Sequence, residues 1–209
     1  SIQGKTEALT EITPPEKKQT YRPYFEGNTP TTGKNYSVSV LADENGLTPV
    51  IGFSISEEII SYGVLSATNP VTRTNDLQIY AATNGYTVLV REDHALRSKN
   101  KAVVPDTTCD NGACTESIAA PWVNTLTYGF GYRCEKKSGQ GQCSEGFEEP
   151  NTYKSFGAAE KNKQYYQVLN SIKQDKGDHF RFIYKLNISA TQPEDAYINN
   201  LTYVIVPNF

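Results

Sequence analysis

The chain lacks methionine and is poor in the side chains that most often carry catalysis. Its 209 residues include two histidines and one tryptophan. None of the sequence signatures of nucleophile elbows, zinc proteases, phosphate-binding loops or dinucleotide-binding turns occurs. We therefore predict no enzyme activity, no catalytic residues, no cofactor and no metal ion. Ser1 stands where an initiator methionine would, so we expect a processed chain with a mature terminus.

Two further absences exclude whole classes of partner. Twenty Lys and Arg face 23 Asp and Glu, for a net charge of −3, so the chain lacks the basic excess of nucleic-acid-binding proteins. No apolar run approaches the roughly 18 residues that a membrane-spanning helix needs. We expect neither nucleic acid nor a membrane span. Aromatic residues make up 11% of the chain, which argues against disorder throughout.

The four cysteines are the first positive feature. Cys109 and Cys114 enclose a short Asn-Gly turn, and Cys134 and Cys143 enclose a Gly-rich polar turn. Three disulfide connectivities are possible, and we predict that each cysteine pairs with its neighbour in the sequence. Each closed loop should stabilise the fold by on the order of 2–3 kcal/mol. A four-cysteine zinc site is the alternative, but the spacings are not the usual C-x2-C. Disulfides indicate a secreted or cell-surface protein.

Short alternating segments dominate the rest of the chain and predict an all-β fold. We expect an antiparallel β-sandwich, Ig-like or jelly-roll-like, with an extended N-terminal strand. Thr83-Asn84-Gly85 predicts a hairpin between two strands. Residues 158–172 fit a helix or a loop followed by a strand at 165–169, and the strand is favoured. The other predicted strands cover residues 36–41, 50–55, 59–65, 71–80, 86–90, 122–132, 180–188 and 197–206.

Scattered polar residues predict surface turns rather than sites. His94 and His179 each lie in a polar segment that flanks a strand. Asp106, Asp110 and Asn111 offer oxygens for Ca²⁺, but the regular spacing of a calcium loop is missing, so a disulfide-closed turn is favoured. Adjacent carboxylates on a strand point to opposite faces, so we expect solvated turns at the acidic doublets. These doublets are Glu57-Glu58, Glu92-Asp93, Glu148-Glu149 and Glu194-Asp195.

Residues 1–35 differ from the sandwich domain predicted for residues 36–209. Residues 1–13 alternate between a charged face and an uncharged face, and a stretch that includes Pro14, Pro15, Pro23 and Pro30 follows. A strand on such a tether can fill a groove in a neighbouring subunit, as in donor-strand complementation. An ordinary first strand and a disordered tail are the alternatives. The predicted donor-strand anchors are Ile2, Thr6, Ala8, Thr10 and Ile12.

Three later segments resemble secreted bacterial surface β-sandwich proteins. They are Pro121–Tyr132, Tyr184–Pro193 and Ala196–Ile205, of which the last is similar to the closing strand of cell-wall WxL-type domains. Tyr203 stands where those domains carry tryptophan, so the resemblance does not by itself imply peptidoglycan binding. The resemblance implies an extracellular structural or adhesive protein.

The predicted function combines these features. We expect a structural subunit of an extracellular, pilus-like filament in which each chain donates its N-terminal strand to another copy of itself. The alternative is a monomeric cell-surface adhesin or glycan-binding module. In that case, exposed tyrosines and Trp122 near a loop cluster would stack on a host or cell-surface glycan.

Overall fold

The computed structural model describes residues 34–39, 50–67, 69–81, 84–173 and 175–208. Within these ranges the chain forms β-strands and two 3₁₀ turns, Asp110–Gly112 and Ala159–Lys161, and no α-helix. Strands β1 to β13 are Lys34–Ser39, Val50–Ile55, Val71–Ala81, Tyr86–Glu92, Arg97–Ser98, Ala120–Pro121, Gly129–Ser138, Gln142–Cys143, Thr152–Tyr153, Tyr166–Ser171, Asp175–Asn187, Tyr197–Ile198 and Leu201–Pro207.

Two antiparallel sheets pack face to face, which confirms the predicted all-β antiparallel sandwich. The first sheet has the order β1-β2-β3-β11-β7 and the second the order β13-β4-β10-β8. Two short pairs, β12 with β5 and β6 with β9, lie outside the main sheets. The predicted N-terminal strand lies outside the described residues, and the domain boundary at residue 35 stays a prediction.

The core follows from alternation along the strands. In β4, Tyr86, Val88 and Val90 are buried at every second position. Aromatic side chains from the first sheet stack in the space between the sheets. Phe182 lies 6.4 Å from Tyr184, and Tyr132 lies 4.6 Å from Phe156, between ring centroids. These large rings fill the interior between the sheets. Methionine, the flexible side chain that often fills core gaps, is absent from this chain.

Both disulfides join the predicted neighbours. Cys109 pairs with Cys114 and Cys134 with Cys143, with Cα–Cα distances of 5.4 and 5.8 Å. The zinc alternative is therefore wrong. The second disulfide connects β7 of the first sheet to β8 of the second. It is a covalent link across one side of the sandwich.

Several predicted strands are confirmed, and others are wrong. The segment at 165–169 is a strand, β10. Residues 59–65 form no strand, and residues 122–128 form a loop closed by the Trp122 indole N–H, which donates to the Thr127 carbonyl. The predicted strand at 197–206 is interrupted between β12 and β13.

The turn at Asn84-Gly85 does not make the predicted hairpin. It carries the chain from β3 in the first sheet to β4 in the second. Both sides of β3 are already paired, with β2 and β11, so β4 has no place beside it. Gly85 has a φ of 115°, and a Cβ there would lie 2.1 Å from the Ser171 carbonyl oxygen. Glycine permits this close crossing.

Candidate functional site

The two sides of the sandwich end differently. Tyr184 of β11 and Tyr203 of β13 meet through their hydroxyl groups at 2.6 Å, so β13 lies across from β11. In the first sheet β3, β2 and β1 continue beyond β11, whereas in the described residues β13 has β4 as its sole neighbour. We call this edge of β13 the open edge. Among the described strands, the second sheet therefore stops short of the first along the open edge.

The part of the first sheet that extends past β13 is an overhang. A groove of about 1140 Å³ lies beneath this overhang, beside β13. Its floor is built from side chains of both sheets, including Phe53 of β2, Leu186 of β11 and Leu201 of β13. We name its two sides the first wall, residues 56–67, and the second wall, residues 188–200. Leu201, Tyr203 and Ile205 alternate along β13 and belong to the core or pack against it. The groove is thus continuous with the hydrophobic core.

The first wall is held by a buried asparagine on β3. Asn75 Oδ1 accepts from the Ser56 hydroxyl at 2.8 Å and from the Glu57 backbone N–H at 3.0 Å. Its Nδ2 donates to the Glu57 carbonyl at 2.8 Å. Further along, Arg73 donates to the Ser61 carbonyl at 2.9 Å. The Asn75 bonds fix the start of the first wall, and Arg73 occupies the Ser61 and Tyr62 carbonyls that a strand at 59–65 could use for pairing.

The second wall is held by the acidic doublet at the end of β4. Asn199 Nδ2 donates to Glu92 Oε2 at 2.9 Å, and Asn200 Nδ2 donates to Asp93 Oδ2 at 2.6 Å. The prediction of a solvated turn is wrong for Glu92, which is 1% exposed. Its neighbours on other elements bury it, a tertiary effect that local alternation does not reveal.

Glu92 faces a second buried carboxyl group, that of Asp106. Burial, together with the nearby Asp106, raises the pKa of Glu92 to about 9. Burial also raises the pKa of Asp106, while the hydrogen bond from Glu92 and the nearby Lys161 oppose that rise. Burial and the closeness of the two carboxyl groups favour one shared proton for the pair, with Glu92 as the protonated partner.

The proposed calcium ligands are not brought together as one site. Asp106 faces Glu92, whereas Asp110 accepts the Val123 backbone N–H at 2.8 Å and the Thr127 hydroxyl at 3.2 Å. Asp110 therefore closes a loop, as in the favoured interpretation, and Asn111 is exposed beside it. Across the described ranges, no group of three or more His, Cys, Asp or Glu could hold a metal ion.

Charge along the groove has one sign. Each wall carries an acidic doublet, Glu57-Glu58 on the first wall and Glu194-Asp195 on the second. Among the described residues that line the groove, none is Lys or Arg. The groove therefore combines an apolar floor with an acidic rim.

The opposite side of the sandwich is closed by a buried aspartate and the disulfide between Cys134 and Cys143. Asp178 is fully buried; its Oδ2 accepts from the Tyr86 hydroxyl at 2.5 Å and its Oδ1 from the Gly141 backbone N–H at 2.7 Å. We call this arrangement the closed side. It joins both sheets and the turn between β7 and β8.

The remaining predicted residues are dispersed. His94 follows β4, and His179 lies within β11 of the other sheet, 3.7 Å from Asp76. Trp122 is 0% exposed, so it offers no face to a sugar. The predicted donor-strand anchors Ile2, Thr6, Ala8, Thr10 and Ile12 lie outside the described residues.

In the part of the chain that the structure describes, no helix is long and apolar enough to cross a membrane.

Comparisons with known proteins do not assign the chain. No protein-family model, no curated protein and no solved structure matches it. The fold and the groove therefore carry the functional argument.

Proposed function

We propose that this chain is a structural subunit of an extracellular filament assembled by donor-strand exchange. Residues 1–13 of one copy add as a strand along the open edge of β13 in the next copy. Their uncharged face fills the groove. Each contact is head to tail, so it does not close on itself and propagates into a filament.

The overhang of the first sheet is the observation that carries this proposal. In the described residues, β13 presents an edge without a partner strand, and the groove lies beside it. An exposed strand edge of this kind is a template for another strand. A strand placed about 4.8 Å from β13 would extend the second sheet over β3 and β2.

The groove also suits a peptide in size and polarity. Its volume of about 1140 Å³ exceeds the range of roughly 300–1,000 Å³ that is typical of small-molecule pockets. The inward side chains proposed for the donor strand include Ile2, Ala8 and Ile12, which match the apolar floor. Main-chain hydrogen bonds to β13 would supply affinity, and these side chains would supply the fit.

Charge and length favour the same occupant. Lys17 and Lys18 follow the proposed donor strand within a few residues, and they complement the acidic rim of the groove. Residues 14–33 reach at most ~66 Å at ~3.3 Å per residue, far enough to span to a neighbouring subunit. The two disulfides support an oxidising, extracellular location.

The test compares filament formation by the full chain and by matched variants under negative-stain electron microscopy. Deletion of residues 1–13 and Ala8→Lys, which places a charge on the inward face, should abolish filaments. Glu7→Lys places the same charge on the outward face and should leave them. Filaments that persist in the deletion variant would overturn the proposal. Isolated particles from the unaltered chain would also overturn it and favour a monomeric binding protein.

A further inference from the structure

A polar pocket lies at the bottom of the apolar groove. Tyr62 of the first wall, Tyr184 of β11 and Tyr203 of β13 line the groove, and Tyr132 of β7 lies behind them. The hydroxyls of Tyr184 and Tyr203 are 2.6 Å apart. Burial, together with the nearby phenols of Tyr184, Tyr132 and Tyr62, raises the pKa of Tyr203. We call this cluster the phenol pocket.

Two members of the phenol pocket are unsatisfied. Within the described residues, the hydroxyl oxygens of Tyr62 and Tyr132 are buried and have no hydrogen-bond partner. Buried polar groups are bonded in the large majority of cases, and each exception destabilises the fold. Tyr62 lines the groove and Tyr132 does not, so a group that enters through the groove can reach Tyr62.

The chemistry of the pocket selects a neutral partner that both donates and accepts. Burial raises the pKa of Tyr62, Tyr132 and Tyr184, so these phenols stay uncharged. An aliphatic side chain would leave Tyr62 unsatisfied, and a charged one would lose its hydration without a counter-charge. A hydroxyl group meets the requirement because it can donate to one phenol and accept from another.

We propose that the phenol pocket binds the hydroxyl of Thr6 or Thr10 from the incoming donor strand and thereby sets its register. This inference rests on the proposed function. Thr6 and Thr10 are the hydroxyl-bearing residues of the uncharged face, and Ala8 lies between them. A shift of the strand by two residues would place Gly4, Ala8 or Ile12 over the pocket, and none of these carries a hydroxyl group. A wrong register therefore leaves Tyr62 unsatisfied.

The experiment measures the critical concentration for filament assembly and, below it, the unfolding of the subunit. Tyr62→Phe removes a hydroxyl that has no hydrogen-bond partner among the described residues, so it should leave subunit stability unchanged or slightly higher. The same change should raise the critical concentration about tenfold, the effect of one lost hydrogen bond. Either Thr6→Val or Thr10→Val should raise it by a similar factor.

Controls and double variants separate the possible results. Combining Tyr62→Phe with the responsive threonine variant should add little, because both remove the same bond. Tyr128→Phe, at an exposed tyrosine outside the groove, and Thr13→Val, on the other face of the donor strand, should leave assembly unchanged.

The two proposals can fail separately. The pocket proposal is wrong if Tyr62→Phe and both threonine variants assemble like the unaltered chain while Ala8→Lys abolishes filaments. In that result, the proposed function stands. Fully additive effects of Tyr62→Phe and the threonine variant would also contradict the pocket. Filaments that tolerate Ala8→Lys, or no filaments from the unaltered chain, overturn both proposals.

Discussion

The closed side and the open edge finish the same sandwich in opposite ways. On the closed side, a disulfide joins β7 to β8, and the buried Asp178 binds groups from the other sheet and from the adjacent turn. Along the open edge, one sheet extends past the other, and two irregular walls border a groove. The closed side thus has a covalent link between the sheets, whereas Tyr184 and Tyr203 join them by a hydrogen bond beside the open edge.

Under the proposed function, this difference predicts that subunit stability and filament assembly depend on different sides of the sandwich. A strand edge left open invites pairing with other chains, and natural proteins usually cover it, charge it or shorten it. Here the described walls border the groove beside the open edge, while the disulfide and Asp178 join the two sheets on the closed side. We therefore expect changes on the closed side to unfold the subunit and changes at the open edge to prevent assembly. Four predictions, ordered by their effect on subunit stability, test this division.

The largest effect is expected from Asp178→Ala on the closed side. The change removes the acceptor that Asp178 provides to the Tyr86 hydroxyl and to the Gly141 N–H, which should cost ~4 kcal/mol in the free energy of unfolding. Urea denaturation measures it. Asp76→Ala, at a partly exposed carboxylate on the outer surface, is the control and should cost ~1 kcal/mol or less. Equal losses from both variants would contradict the special role of the closed side.

The second prediction concerns pH and the Glu92–Asp106 pair, which holds the second wall through Asn199. Glu92 keeps its proton in the folded state up to a pKa of about 9, whereas in the unfolded chain it ionises near 4.5. The raised pKa of Glu92 therefore contributes its full stabilisation below pH ~4.5. This stabilisation declines as the pH rises above ~4.5 and is lost once the pH has passed ~9. Other charges facing the pair are those of Lys161 and Glu116.

Stability of the unaltered chain should fall by ~3 kcal/mol between pH 5 and pH 8 relative to Glu92→Gln, which carries no titrating proton. Thermal unfolding across this pH range measures the difference. Glu160→Gln is the control, because Arg97 lowers the pKa of the Glu160 carboxyl, so the group is ionised in both states there. Parallel pH profiles for the unaltered chain and Glu92→Gln would disprove the shared proton.

The third prediction removes the disulfide of the closed side. Replacing Cys134 and Cys143 together by alanine should cost ~2.5 kcal/mol, since the closed loop restricts the unfolded chain. Replacing Cys109 and Cys114, which close a shorter loop away from the sheet junction, should cost slightly less, ~2 kcal/mol. Filaments should still form from both variants where the subunit stays folded. Loss of assembly without loss of folding would contradict the separation of the two sides.

The smallest effect on stability, with the largest effect on assembly, is expected at the open edge. Leu201→Lys places a charge inside the half-buried groove and should cost ~1 kcal/mol, because the long side chain can reach solvent. It should abolish filaments, since an inward charge blocks strand addition. Thr202→Lys, on the opposite face of β13, should assemble normally. Sedimentation of assembled material compares them.

Local alternation predicted much of the fold, and tertiary context decided the rest. The buried positions of β4 and the neighbour pairing of all four cysteines followed from local sequence. The segment 59–65 has strand-like composition, but side chains of β3 bind the backbone in and just before it. Asn75 donates to the Glu57 carbonyl, and Arg73 donates to the Ser61 carbonyl. The Asn84-Gly85 turn has the residues of a hairpin, yet both edges of β3 are occupied by distant strands.

The candidate site was harder to predict from the sequence than the fold was. The groove depends on the order of strands in two sheets, and neither order is encoded in any one segment. Glu92 looked like half of a solvated doublet because Asp106, the partner that shares its proton, comes from another element. The phenol pocket joins tyrosines from four separate segments, including Tyr62 and Tyr203. Of the parts of the proposed assembly, only the proposed donor strand, residues 1–13, has a pattern that is visible in the local sequence.

The central claim is that residues 1–13 of one copy lie beside β13 of another. A photo-cross-linking residue, p-benzoylphenylalanine, in place of Leu9 on the outward face tests it in filaments grown from equal amounts of ¹⁵N-labelled and unlabelled full chains. We predict mixed-isotope cross-links from position 9 to β13 or to the walls of the groove. Cross-links confined to chains of one isotope, or mapped to other surfaces, would contradict the account.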